Sequence, residues 1–568
     1  MRKKILFSLI AVAILLAGYA SFLYVKQHQE TSNTAPQNDV SVSQTQPNDI
    51  PETVAFAKKI DMKQWLHNAE DRVYYQLGIS YCGKPAAKDF EKLAIFVPEQ
   101  FLNCNVNADK TTYTCKPNNA ASVGGFTIHT APIIMPVETK EYEAIPALST
   151  YIDVTPYTNA GYTYVYIGSR GIESAAPAAV ADFKAAIRFL RHNKANIPAN
   201  TDLIYALGVR AGGTISAILG TSGDSALYMP YLQNIGAIET TGDSIYGVFT
   251  WYPVSDFGIE NSAYEWSIGV SRKGVTENQH KLSNLLARDY ANYVNNLGLI
   301  GPRGLPLFLQ PSDKGVFKAG PYYEHLKSVV EDSLTKFIRE TTFPYTPPRR
   351  TYTFGKGFTE AVGEINPQGT FLTAQQYLKA LNEKRKWVSY DYSDRVVIIR
   401  NVEDFLRSFK PATQEISYFD PIKRNSWVNS LFRTTDKKGL HFDDTLVKIY
   451  KNHPLAKEYT DDIITQDTVG LSVRQRRNMY SPMYFVSPAS GGYKTAKVAP
   501  FWRIRTGLRQ TEFSLTNEIN LSLALKKYPN VNVMDFETFW AQEQTDLDKD
   551  GKIPSDLILQ ILTKYYFI

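Results

Sequence analysis

Gly208-Val209-Arg210-Ala211-Gly212 has the spacing of a nucleophile elbow, G-x-S-x-G, between an apolar run (Asp202 to Leu207) and a helix-suited stretch (Thr214 to Leu219). Such a turn lifts its central side chain above a sheet and aims backbone N–H groups at an oxyanion, which suits acyl transfer. Here the lifted residue is Arg210, whose guanidinium stays protonated and cannot attack a carbonyl. Two roles remain open for it. It binds an anion beside the elbow amides, or it plugs the pocket by pairing with Glu512 or Glu543, because an enclosed arginine needs a carboxylate. Ser216 and Ser222 follow in the helix or just beyond it, and neither has a histidine assigned to activate it.

The elbow chemistry also needs an acid and then a histidine later in the chain, because only an imidazole can take the serine proton. The eight histidines are His28, His67, His129, His192, His280, His325, His441 and His453. None follows His453, so the closing part of the chain has no residue for the general base.

The elements that must position such a site are legible from periodicity. Arg72 to Tyr81, Lys92 to Pro98, Thr163 to Ile167, Asp202 to Leu207 and Tyr246 to Val254 read as strands. Ala176 to His192 is an amphipathic helix, with Val180, Phe183, Ala186, Ile187 and Leu190 on one face. The alternation predicts an α/β-hydrolase fold, a doubly wound and mostly parallel sheet with ligands beyond its C-terminal strand ends. The loop Gly168-Ser169-Arg170-Gly171 lies at such an end, so Arg170 is either a binding residue or loop scaffolding. From about 261 the pattern loosens into Pro-rich turns and charged helices, read as an inserted cap. Trp502 to Arg505 and Asn530 to Phe539 read as closing strands. The expected organisation is a membrane anchor or signal segment (1–26), a disordered tether (27–50), a first core part (51–260), a cap (261–480) and a closing core part (481–568).

Net charge is +6, from 62 basic and 56 acidic residues scattered along the chain, which argues against a nucleic-acid partner. Arg2-Lys3-Lys4 precedes the uncharged run Ile5 to Val25, long enough to span a bilayer. The body is expected outside the cytoplasm, periplasmic or extracellular, either anchored by residues 5–25 or released after cleavage at a small-residue site near Gly18-Tyr19-Ala20. Membrane contact is expected through this segment only. In an oxidising compartment Cys104 and Cys115 are expected to close a hairpin-like loop, leaving Cys82 as a buried thiol. Asp546, Asp548 and Asp550 match the first half of a calcium loop, D-x-D-x-D-G, but Leu557 stands where its bidentate carboxylate belongs. Calcium is the one cofactor the sequence suggests; a solvated acidic turn is the alternative.

Longer stretches carry a resemblance. KPAAKDFEKLAIFVP, DFKAAIRFLRHN, GGTISAILGTSGDS, GDSIYGVFTWYPVSD, AYEW, NMYSPMY and WRIRTG occur in this order. With these the chain resembles bacterial tannases of the feruloyl-esterase-like group, from about Arg72 to the C-terminus. The resemblance implies an α/β-hydrolase with a large cap that cleaves galloyl or related phenolic esters through a Ser-Asp-His triad. It also implies that all three triad positions are substituted: the serine by Arg210, the acid by Gln510 and the histidine by Gln544. Lys410 matches a cap lysine that grips phenolic hydroxyls in the family, and Val428 stands where the family has a glutamate. The expected function is a tannase-like pseudoenzyme, exported, that binds a small aromatic or ester-like ligand or serves as a scaffold. The alternatives are a working ester hydrolase with an unconventional site and an envelope protein-interaction module.

Overall fold

The computed structural model describes residues 59–542, apart from 273, 348–350, 354–361, 365–366 and 435–436. A nine-stranded mixed sheet forms the centre. In chain order its strands are β1 (Leu66–Asn68), β2 (Val73–Ser80), β3 (Lys92–Pro98), β4 (Ile133–Val137), β5 (Thr163–Ile167), β6 (Ile204–Val209), β7 (Gly247–Trp251), β8 (Phe501–Gly507) and β9 (Val533–Phe539). Their spatial order is β1-β2-β3-β5-β4-β6-β7-β8-β9. The pairings β1–β2, β2–β3 and β3–β5 are antiparallel and the rest are parallel. Strands β4, β5 and β7 are buried along their whole length, which explains why each reads as a continuous apolar run. The elbow strand begins two residues later than the sequence suggests and runs through Val209, because Thr201 and Asp202 form a turn. β4 was not evident in the sequence.

The helices used below are α1 (Ala178–His192), α2 (Ala211–Thr221), α3 (Glu260–Ser267), α4 (Glu277–Asn296), α5 (Pro321–Glu340), α6 (Val402–Phe409) and α7 (Asn517–Lys527). On α1, Val180, Phe183, Ile187 and Leu190 are fully buried, each contributing about 1.5–3 kcal/mol of apolar burial. No described residue between β7 and β8 joins the central sheet. That long excursion is tied back by a buried triangle of hydrogen bonds. The Tyr290 and Tyr322 hydroxyls on α4 and α5 lie 3.1 Å apart, Tyr322 donates to Asn520 Oδ1 on α7 at 2.6 Å, and Asn520 Nδ2 donates to Tyr290 at 3.0 Å. Ser333 on α5 also donates to the Thr538 carbonyl on β9 at 3.0 Å.

Cys104 and Cys115 face each other across an antiparallel hairpin (Leu102–Val106 with Tyr113–Pro117) and form a disulfide. Cys82 is a free buried thiol whose pKa burial raises. No helix among the described residues is long and apolar enough to cross a membrane. Residues 5–25 lie outside the described residues.

Candidate functional site

Arg210 sits at the junction of β6 and α2 with φ 56 and ψ −115, a backbone conformation that costs a side-chain-bearing residue about 1–3 kcal/mol. The surroundings hold it there. Its N–H donates to the Trp251 carbonyl at the end of β7 at 2.9 Å, and its carbonyl accepts from Thr214 N at 2.8 Å. The turn is too tight for larger neighbours. A Cβ on Gly208 would lie 2.2 Å from the Gly212 carbonyl carbon, and one on Gly212 would lie 2.0 Å from the Val137 carbonyl oxygen. The elbow geometry is thus present, and the side chain it presents is a guanidinium.

Arg210 reaches Glu512 through Nη2, at 3.5 Å from each carboxylate oxygen. Both side chains are 49% exposed, so the pair is loose and solvated, unlike the enclosed plug the sequence suggested. Glu543, the other expected partner, lies outside the described residues, as do Gln544, Asp546, Asp548 and Asp550. Gln510 is buried and closes a local turn: its Oε1 accepts from Phe513 N at 3.1 Å. Among the described residues no group of His, Cys, Asp and Glu is arranged to hold a metal.

A buried set of ionisable groups lies within electrostatic reach of Glu512. Lys410, just past α6, is fully buried and its Nζ has no hydrogen-bond partner. Burial pushes its amine down to about 7, against the opposing pull of Glu518, Glu260 and Glu512. Burial raises Glu260 to about 8, although its carboxylate accepts from Ser514 N at 2.8 Å and Asn517 Nδ2 at 2.7 Å. Glu518 is raised to about 7 by the same cause, and its Oε2 has no partner. The segment that carries Lys410 is pinned to the loop after β8. The Thr511 carbonyl accepts from the Tyr264 hydroxyl at 3.0 Å and from the Thr413 hydroxyl at 3.2 Å. Val428 is buried in the apolar core.

One further cation went unnoticed in the sequence. Arg509, two residues beyond β8, is 2% exposed, with Nε and Nη2 unpartnered, and its guanidinium lies 5.5 Å from the centre of the Phe409 ring. No local pattern could have singled it out, since its burial arises from packing against α6.

Arg170 is occupied. Its backbone N–H donates to Asp182 Oδ2 at 2.7 Å, its Nη2 to Asp182 Oδ1 at 2.6 Å, and Glu91 lies 3.7 Å from Nε. The guanidinium therefore straps the loop after β5 to α1 and to the start of β3. Arg170 also borders a cleft of roughly 600 Å³ with Arg433 and Arg476, each of which has its own carboxylate, Glu173 at 2.7 Å and Asp467 at 3.8 Å.

Neither serine has a histidine beside it. Ser222 donates to the Ile218 carbonyl at 2.7 Å, and the Ser216 hydroxyl is buried with no partner. A buried Asp–His pair does exist elsewhere in the excursion. His441 Nδ1 lies 2.6 Å from Asp420 Oδ1, its ring stacks on Tyr459 at 3.5 Å, and its Nε2 is unpartnered.

Comparison with known proteins adds to this geometry. The model of the BD-FAE family, esterase-like α/β-hydrolases, matches residues 147–302, a span that contains β5, β6, the elbow and β7. A comparison with curated protein sequences gives no match. Among solved structures, the chain is similar to the tannase of Fusobacterium nucleatum, with 22% identity, TM-score 0.66, and coverage of 87% of this chain and 94% of that one. It is also similar to the tannin acyl hydrolase of Lactobacillus plantarum, with 24% identity, TM-score 0.60, and coverage of 86% and 93%. A tannin acyl hydrolase in complex with 3,4-dihydroxybenzoate matches at 21% identity and TM-score 0.62, covering 88% and 96%. The chain therefore carries the α/β-hydrolase fold in the form that tannases share, with an arginine at the elbow.

Proposed function

We propose that this protein is a tannase-like pseudoenzyme: it keeps the hydrolase fold and its elbow, has given up ester hydrolysis, and binds a small ligand at the old site. The observation that carries the reading is Arg210, held in the strained elbow conformation where a nucleophile would stand. A guanidinium neither attacks a carbonyl nor passes on a proton at physiological pH. The positions that match the acid and the histidine of tannases by sequence are Gln510 and Gln544, so base and orienting acid are missing with the nucleophile. Loss of the triad leaves at most the residual rate that binding and oxyanion contacts supply. The Cys104–Cys115 disulfide supports a body that works outside the cytoplasm, and the apolar run at residues 5–25 supports anchoring to the membrane or passage through it.

The test is hydrolysis of methyl gallate and a nitrophenyl ester by the purified full-length chain in detergent, beside Arg210→Ser and a heat-denatured control. No turnover by the native chain is expected. Turnover above the denatured control would overturn the reading. A working esterase with an unconventional site has one observation in its favour, the Asp420–His441 pair with its unpartnered Nε2. If turnover is found, its loss in His441→Gln would assign it to that pair.

A further inference from the structure

We infer that the ligand of this site is an aromatic carboxylate, the free acid in preference to its ester, with the carboxylate received by Arg210. The inference rests on the ligand-binding reading above and names the chemistry of the ligand.

Charge is the first argument. Arg210 is a permanent cation at the elbow, and its partner, Glu512, holds it only at 3.5 Å with both groups half exposed. A ligand carboxylate that makes short, two-pronged contacts is a better partner than this loose pair. An ester offers only a neutral carbonyl oxygen and leaves Arg210 to its loose pair with Glu512, whereas an acid competes with that carboxylate for the guanidinium. Lys410 Nζ is fully buried and without a hydrogen-bond partner, and Glu512, the same carboxylate that Arg210 touches, is among the charges that act on it. An unpaired buried ammonium is costly, and an anion brought into its vicinity lowers that cost. Arg509 adds a second unpaired cation on this side, over the ring of the residue that precedes Lys410. Near neutral pH burial keeps Glu260 mostly neutral and leaves Glu518 and Lys410 each only partly charged, so the buried carboxylates oppose an incoming anion only in part.

The neighbourhood of Glu512 is also aromatic. Phe513 follows Glu512, is partly exposed and stacks on Phe419 at 5.6 Å. Tyr418, partly exposed, is close enough to Glu512 for its hydroxyl to sense that carboxylate. Two partly exposed aromatic residues close to the carboxylate that Arg210 touches suit a flat ring that carries an acid group.

The decisive experiment is calorimetric titration of the full-length chain in detergent with 3,4,5-trihydroxybenzoate and, separately, with its methyl ester, at low and at high salt. The acid is expected to bind about tenfold or more tightly than the ester, an advantage that shrinks with added salt. Arg210→Gln is expected to bring the ratio of the two affinities to within about twofold, the charge-assisted pairing having gone. Glutamine keeps the backbone strain of the elbow and replaces a side chain that is half exposed, so the variant tests the charge without disturbing the fold. Equal affinity for acid and ester, or tighter binding of the ester, would overturn the inference and leave ligand binding intact. An acid preference that survives in Arg210→Gln would also overturn it. Failure of both probes to bind would remove the ligand-binding reading itself.

Discussion

Replacing Lys410 with methionine should stabilise the protein, by an amount that burial makes dependent on pH. The side chain is fully buried, its Nζ has no partner, and burial moves the amine from 10.5 to about 7. Below that lower value the folded chain must enclose an ammonium that water would otherwise solvate. At about 1.4 kcal/mol per pH unit, the penalty is about 5 kcal/mol. Between the two values the folded chain binds fewer protons than the unfolded one, so stability climbs with pH and the penalty fades as 10.5 is approached. Methionine has similar length and no charge, so the gain from Lys410→Met should follow the same curve: about 5 kcal/mol near pH 6 and about 1 kcal/mol near pH 9.5. The assay is urea denaturation of the full-length chain and the variant at both pH values, followed by tryptophan fluorescence. A gain of equal size at both pH values would refute the argument, since apolar packing alone would then explain it. A loss at both would mean that the amine has a strong partner.

Other outcomes follow from the same geometry. Arg210→Gly should raise stability by about 1 kcal/mol, because relief of the strain at φ 56 exceeds both the loss of an exposed ion pair and the extra freedom of glycine when unfolded; denaturant midpoints read this. Gly212→Ala places a methyl group 2.0 Å from the Val137 carbonyl oxygen, where only backbone could give way, so a loss above about 3 kcal/mol or failure to accumulate folded protein is expected. Cys104→Ser with Cys115→Ser opens a loop with a sequence separation of 11 and should cost at most about 3 kcal/mol, seen as a lower melting temperature that the reduced native chain matches.

The site was partly legible in the sequence, and the reasons differ from residue to residue. The elbow could be read because its glycines and the flanking apolar runs are local signals, and Arg210 stands out against them. β4 escaped because Ile133–Val137 is short and contains Pro136, which interrupts the usual strand signature. The antiparallel edge formed by β1, β2 and β3 is a matter of pairing partners, and strand composition does not fix these. Lys410 was picked out through a resemblance alone; its isolation inside the protein depends on packing among α6, α7 and the loop after β8. Arg509 had no distinguishing mark among 62 basic residues. The Asp420–His441 pair joins residues of different segments, so no spacing rule could have found it.

The pairing of β7 with β8 has a kinetic consequence. These strands are neighbours in the sheet, yet about 250 residues of chain separate them, and parallel strands joined over such a distance pair slowly. During synthesis or translocation β7 must wait with one hydrogen-bonding edge open until the whole excursion has emerged. The contacts between the Lys410 segment and the loop after β8 cannot form before that closure. The candidate site is therefore a late product of folding, and a chain truncated before residue 501 would present an apolar sheet edge, a ready target for chaperones and proteases.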